Sequence, residues 1–273
     1  MIDALAAVVA GVLPATLRAV LVEVIGVVGT LCLIGAGVII RPARCRSLLG
    51  ELRPRLREAA PYVAGLGGIL LANSVLRDRT QQLSFAIGIN IGSVIEGIEG
   101  GFVGTLQSLQ TPVLTAYFSY VYIYGYVFLL VFPLLAYLAL DDRVTFRRLV
   151  TAYGLNYLFG IILYTLFVAY GPRNVGIAEP LLYSTFPEFQ FLTSEVNSPT
   201  NVFPSLHTSL STTVATFAVR TRDQYPGWMI LAGGLAGSVI LSTMYLGIHW
   251  ATDVVAGALL GWSCVALAER YID

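Results

Sequence analysis

The stretch Val113–Leu140 reads VLTAYFSYVYIYGYVFLLVFPLLAYLAL and carries no Asp, Glu, Lys or Arg in 28 consecutive residues. A helix of that length rises about 42 Å at ~1.5 Å per residue. The hydrocarbon core of a bilayer is about 30 Å thick and needs ~20 apolar residues to cross. A strand reading fails, because a strand of this length is far beyond the usual ~3–10 residues. The stretch therefore predicts a membrane-spanning helix, and the rest of the chain is read outward from it.

The whole composition agrees. Hydrophobic residues make up 56% of the 273-residue chain and charged residues 12%, against roughly 25% charged in a soluble domain. Mean hydropathy is +0.77. Six further apolar stretches are expected to cross: about 19–40, 61–76, 149–170, 206–219, 227–247 and 251–268. The second and fifth of the seven, 61–76 and 206–219, are short. The predicted fold class is all-α, a polytopic membrane helical bundle. The leading stretch MIDALAAVVAG has no basic leader, so a cleaved signal peptide is not expected.

The formal net charge is zero and all 16 basic residues are Arg. No global field draws the chain to nucleic acid, and chemistry needing a Lys Schiff base is excluded. Arg41, Arg44, Arg46, Arg53, Arg55 and Arg57 lie in one connection, Arg143, Arg147 and Arg148 in a second, Arg220 and Arg222 in a third, and Arg270 near the C-terminus. With seven spans these 12 arginines share one face, leaving Arg18, Arg77, Arg79 and Arg173 on the other. The excess marks the first face as cytoplasmic. The N-terminus is then expected outside and the C-terminus inside.

Two long connections fall on the outer face. In 77–112, Ile87, Ile91, Val94, Ile95, Ile98, Phe102, Leu106 and Leu109 repeat at helical spacing. An amphipathic helix lying on the membrane is expected there, although six glycines between Gly88 and Gly104 oppose it. The connection 171–205 is rich in Pro, Asn, Ser and Thr and reads as an ordered loop. The cysteines Cys32, Cys45 and Cys264 are far apart, without metal or redox spacing, and read as small buried residues.

The chain holds two histidines, His207 and His249, each at the outer end of an expected helix. A single histidine of this kind is usually a satisfied core residue, but these neighbourhoods are unusual. Around the first runs NVFPSLHTSLSTT, residues 201–213. Pro204 suits a first helical turn. The free N–H groups near Leu206 and His207 form an anion site, and Ser205 adds a hydroxyl. Thr208, Ser209, Ser211, Thr212 and Thr213 read as small residues packing helix on helix. Around the second runs STMYLGIHWATDVVAG, residues 242–257. His249 and Asp253 are four apart, which on a helix puts carboxylate and imidazole on one face. A carboxylate there fixes the tautomer and raises the basicity of the other ring nitrogen. Leaving an unpartnered Asp at a span's end costs several kcal/mol.

Pro-Ser-Leu-His followed about forty residues on by His-x-x-x-Asp resembles the type 2 phosphatidic acid phosphatase superfamily. The run Ser242-Thr-Met-Tyr-Leu-x-x-His-x-x-x-Asp253 is most similar to its inositol phosphorylceramide synthase-like branch. The resemblance covers the second to seventh spans. It implies a six-helix phosphatase core over 59–273, preceded by an extra N-terminal span and basic loop over 1–58. It also implies a metal-independent reaction without cofactors on a lipid phosphate or diphosphate, with no nucleic acid partner. His249 would be the nucleophile, Asp253 its orienting carboxylate and His207 the general acid. Arg173, Ser205 and the amides at Leu206 and His207 would hold the phosphate.

Two departures stand out. The superfamily's first motif has a Lys and then Arg-Pro, whereas this chain has Tyr170-Gly-Pro-Arg-Asn174. Arg173 then becomes the expected phosphate clamp, since a guanidinium matches phosphate geometry. The third motif usually begins Ser-Arg, and here it is Ser242-Thr243, a loss the synthase-like branch shares. Arg77 or Arg79 is a candidate to restore the missing charge. Water as acceptor gives a phosphatase, and a lipid or polyol hydroxyl gives a transferase. An inositol-phosphoryl or other headgroup-phosphate transferase is thus an alternative. The aromatic residues Tyr117, Phe118, Tyr120, Tyr122, Tyr124, Tyr126 and Phe128 are candidates to line a lipid cleft. Readings of another class are a two-His, one-carboxylate iron site, a membrane serine protease using Ser205, and a non-catalytic lipid-binding protein.

Overall fold

The computed structural model describes residues 14–196 and 198–273. The leading stretch read above for a signal peptide lies outside the described residues. The chain is an all-α bundle, with six helices long and apolar enough to cross a membrane. Helix α1 (Ala15–Gly35) ends in a π-helical turn, Ala36–Ile40. Helix α2 (Pro42–Ile87) has 46 residues, about 69 Å at 1.5 Å per residue, twice what a bilayer core needs. The basic connection at 41–58 is therefore helix and not loop. Pro42 sits at the first turn, where its missing N–H costs nothing. Glu51 and Arg55, four apart, are ion-paired at 3.0 Å. The expected span at 61–76 is the middle of α2, and residue 58, the expected end of the extra segment, falls inside it.

The outer connection that follows is not one amphipathic helix. Residues 77–87 complete α2. A two-residue strand β1 (Ile89–Asn90) follows, then α3 (Gly92–Glu99) and α4 (Phe102–Gln107). Gly100 at φ 53° turns the chain between α3 and α4, a conformation that glycine adopts without strain.

Helix α5 (Pro112–Tyr120) passes through a π-helical turn, Val121–Gly125, into α6 (Tyr126–Leu138). Thr111 caps it by accepting from the Leu114 amide at 3.2 Å. Asp142 likewise caps α7 (Arg143–Leu166) through the Val144 amide at 2.9 Å. Strand β2 (Phe167–Val168) pairs in parallel with β1, which ties the outer ends of α2 and α7 together. The loop after it carries a 3₁₀ turn (Pro172–Asn174), α8 (Leu181–Thr185) and α9 (Phe189–Val196). Helices α10 (Leu206–Arg220), α11 (Pro226–Tyr245) and α12 (Ala251–Tyr271) complete the chain.

At 15 residues α10 is shorter than a bilayer core. It packs inside α7, α11 and α12, with Thr208, Ser209, Ser211 and Thr213 fully buried, so protein surrounds its polar side chains. Gly257 and Gly261 of α12 allow this. A Cβ at either would come within 2.4 Å of the Ser205 or Ser209 carbonyl oxygen. Outward positions are apolar: Val255, Leu259 and Trp262 of α12 are each 60–62% exposed. That is a lipid-facing surface, and the protein is an integral membrane protein.

Candidate active site

The outer ends of α10 and α12 meet. Ser205 caps α10 by accepting from the Thr208 amide at 3.2 Å, and its own amide donates to the Asp253 carbonyl at 3.0 Å. The close approach at Gly257 makes that second bond possible. His207, in the first turn of α10, lies 5.9 Å from His249, ring centre to ring centre. The backbone amides of Ile248 and His249 both donate to the Thr243 carbonyl, at 2.9 and 3.1 Å. Gly247, at φ 72°, makes the turn that precedes them.

The carboxylate of Asp253 approaches Nδ1 of His249 at 3.6 Å. This is ion-pair distance, and a shift of about 0.7 Å would make it a hydrogen bond. The same carboxylate accepts from the Trp250 amide at 2.8 Å, which fixes its rotamer at the start of α12. Nδ1 of His249 and Oδ1 of Asp253 are buried without a hydrogen-bond partner among the described residues. His249 is 3% exposed. Burial, then the charge of Arg173, pushes its pKa down to about 3, opposed by the Val202 backbone. The ring is held neutral, with a nitrogen lone pair available.

Arg173 sits in the 3₁₀ turn, its amide donating to the Gly247 carbonyl at 3.0 Å. Its guanidinium stacks over the Tyr183 ring at 4.8 Å and reaches the Tyr183 hydroxyl at 3.4 Å. Its remaining terminal nitrogen is buried and unpaired among the described residues. The backbone amide of Leu206 lies against the Tyr164 phenol. Arg77 donates to the Ser194 carbonyl at 2.7 Å, and Arg79 is exposed.

The structure thus brings together His207, His249, Asp253, Ser205 and Arg173 from three separate segments. It also adds residues that the sequence did not single out. Glu99 of α3 accepts from the Ala251 amide at 2.9 Å and from the Thr252 amide, closing the start of α12 from outside. Gln107 of α4 bonds the Glu179 backbone and the Tyr245 carbonyl. Nothing in the sequence links positions 99 and 251. Tyr122 and Tyr126 enclose His207, with ring centres at 4.7 and 4.6 Å. They stood in the aromatic run, but only the π-turn shows which ring they hold.

A lipid-embedded bundle with two facing imidazoles, a carboxylate behind one and a guanidinium nearby defines a class of membrane enzyme. The PAP2 superfamily model matches residues 101–267, more than half of the chain. The chain belongs to the PAP2 superfamily, and with it to phosphoester hydrolases and phosphotransferases of phosphorylated, lipid-like substrates. It is 31% identical over 159 residues to an uncharacterised protein of Methanocaldococcus jannaschii, a match covering 58% of this chain and 62% of that one. No solved structure matches.

Proposed function

We propose that the protein is a lipid-phosphate phosphatase or phosphotransferase working through a phosphohistidine at the outer face of the plasma membrane. The observation that carries this is the 5.9 Å approach of the two imidazoles with Asp253 behind His249. Asp253 faces Nδ1, so Nε2 of His249 attacks phosphorus. The bond to the leaving oxygen breaks, and His207 gives that oxygen a proton. His207 then takes a proton from the acceptor hydroxyl as it attacks phosphorus and frees His249. Arg173, Ser205 and the amides at Leu206 and His207 stabilise the charge spread over the equatorial oxygens. For the amide of Leu206 this requires the Tyr164 phenol to yield its place or share it.

The arginine-rich ends support an inward face: Arg55, Arg143, Arg147, Arg148 and Arg220 cluster there through contacts between helix ends. On this reading the N-terminus is outside, the C-terminus inside, and 59–273 is the catalytic core.

The test is turnover by the purified protein, with chelator, on phosphatidate, polyprenyl diphosphate and phosphatidylinositol. Inorganic phosphate and new phosphodiester lipid are measured together. Free phosphate identifies a phosphatase, and new phosphodiester an inositol-phosphoryl or other headgroup transferase. Turnover that needs added metal would overturn the phosphohistidine route. No turnover at all would favour a lipid-binding protein.

A further inference from the structure

Beside the two histidines a second cleft opens between the outer part of α2, α7 and the loop at 198–201. On α2 the half-buried positions here are Asn73, Arg77, Thr80 and Gln81, one helical face by their spacing. The neighbouring Leu71, Val75, Leu76 and Leu83 are exposed. The helix is therefore still apolar outward at this level, and its polar residues are gathered inward. Across the cleft stand Tyr164 and Asn201.

The carboxamides of Asn73, Gln81 and Asn201 have no side-chain hydrogen bond among the described residues. Each can give two protons and accept at its oxygen. Three such groups facing one cleft in a membrane protein match neither an acyl chain nor an anion. They match hydroxyls, which donate once and accept twice. The one guanidinium present, Arg77, is engaged by the Ser194 carbonyl. Tyr164 connects the cleft to the reaction centre, since its phenol lies against the amide of Leu206, next to His207.

We infer that this cleft binds a neutral, hydroxyl-rich group that joins the reaction at His249; the inference rests on the phosphohistidine reading above. The group is either a free polyol acceptor or the polyol headgroup of a donor lipid. As acceptor, its hydroxyl oxygen bonds to phosphorus, the bond from phosphorus to His249 breaks, and the hydroxyl proton passes to His207. As headgroup, it stays on phosphorus while the apolar alcohol leaves with a proton from His207.

The test uses the full chain and an Asn73→Leu Gln81→Leu variant, in two arms. The first gives it the lipid phosphate it turns over fastest, together with free glycerol or myo-inositol, and measures polyol phosphate against inorganic phosphate. The second supplies phosphatidylinositol vesicles alone and measures released inositol phosphate. The variant is expected to lose tenfold or more in one arm or both, while hydrolysis of the lipid phosphate stays within twofold. Loss in the first arm alone identifies a free acceptor, and loss in the second a headgroup. Parallel loss of all products overturns the inference, as do an unchanged variant and a wild type forming inorganic phosphate only. A wild type with no turnover overturns the phosphohistidine reading itself, and the inference with it.

Discussion

The two ends of the bundle treat buried charge in opposite ways. At the arginine-rich end, Arg55 is 4% exposed and donates to the carbonyls of Leu138 and Leu140 and to Glu51. Arg143 and Arg147 share Glu58, Arg148 holds the Ile272 carbonyl, and Arg220 pairs with Glu269. These contacts join helix ends. At the other end His249, Asp253 and Arg173 each keep a buried polar atom unpaired among the described residues. Buried polar groups are nearly always satisfied, so several orphans together need an explanation. One end uses charge to fix the fold. The other keeps hydrogen-bonding capacity in reserve, which a phosphoryl group would use.

The sharpest way to break this comparison is His249→Gln. It removes the nucleophile and keeps an amide of similar reach. Turnover is expected to fall by about 10⁴-fold or more, with no loss in thermal midpoint. A variant that unfolds instead would move His249 into the structural class. Arg173→Ala should cost about 10²–10³-fold in kcat/KM. Lys at 173 should restore part of this, because it returns the charge without the planar fork. The opposite pattern is expected of Arg55→Ala. It strips hydrogen bonds from two helix-end carbonyls and should cost about 2–3 kcal/mol of stability, read by denaturation in detergent. The kcat of the folded fraction should remain within about twofold.

Acid gives a further test. The pKa of His249 is lowered in the fold, so the unfolded chain binds its proton more tightly. Stability should then fall as pH drops below about 6.5, the unfolded value, and keep falling toward about 3. Between pH 7 and pH 5 the loss from this ring is about 2 kcal/mol. His249→Gln should flatten that part of the curve. Equal acid sensitivity in both proteins would mean that the buried ring contributes nothing to it.

How much of this was legible beforehand depends on the kind of signal. Apolar runs such as 113–140 gave the bundle, because the bilayer imposes a length that periodicity and composition reveal. The histidines and Asp253 were legible because their spacing on a helix is a local property. Arg173 was found by its place after a span. Three features were not legible. The 41–58 segment reads as a charged loop, yet Glu51–Arg55 pairing and contacts with the 138–140 carbonyls keep it helical. The glycine pair at 100–101 splits what periodicity joins. Glu99 reaches the amides of residues 251 and 252 across about 150 positions of chain, and the cleft at Asn73 and Gln81 needs α7 beside it. Such pairings are tertiary, and no local pattern encodes them.

The smallest expected effect falls on Tyr126, which belongs to neither class. It touches His207 without itself facing the reacting phosphorus in the proposed route, so it is a positioning residue. With Tyr122 it holds the imidazole between two rings, and the π-turn at 121–125 lies between the two residues that supply them. A π-turn departs from regular helix and is frequent at functional sites. Tyr126→Leu should keep the volume apolar but release one face of the ring. A general acid contributes about 10²–10⁴-fold when well placed, so loosening it should cost about tenfold in kcat. KM for the lipid should hold, because the phosphate clamp is untouched. Tyr126→Phe should restore the rate, since stacking needs only the ring. A substrate with a better leaving alcohol should narrow the gap between Leu and wild type, because it needs less help from the acid. An equal deficit on both substrates would place Tyr126 with Arg55, among the residues that only hold the fold.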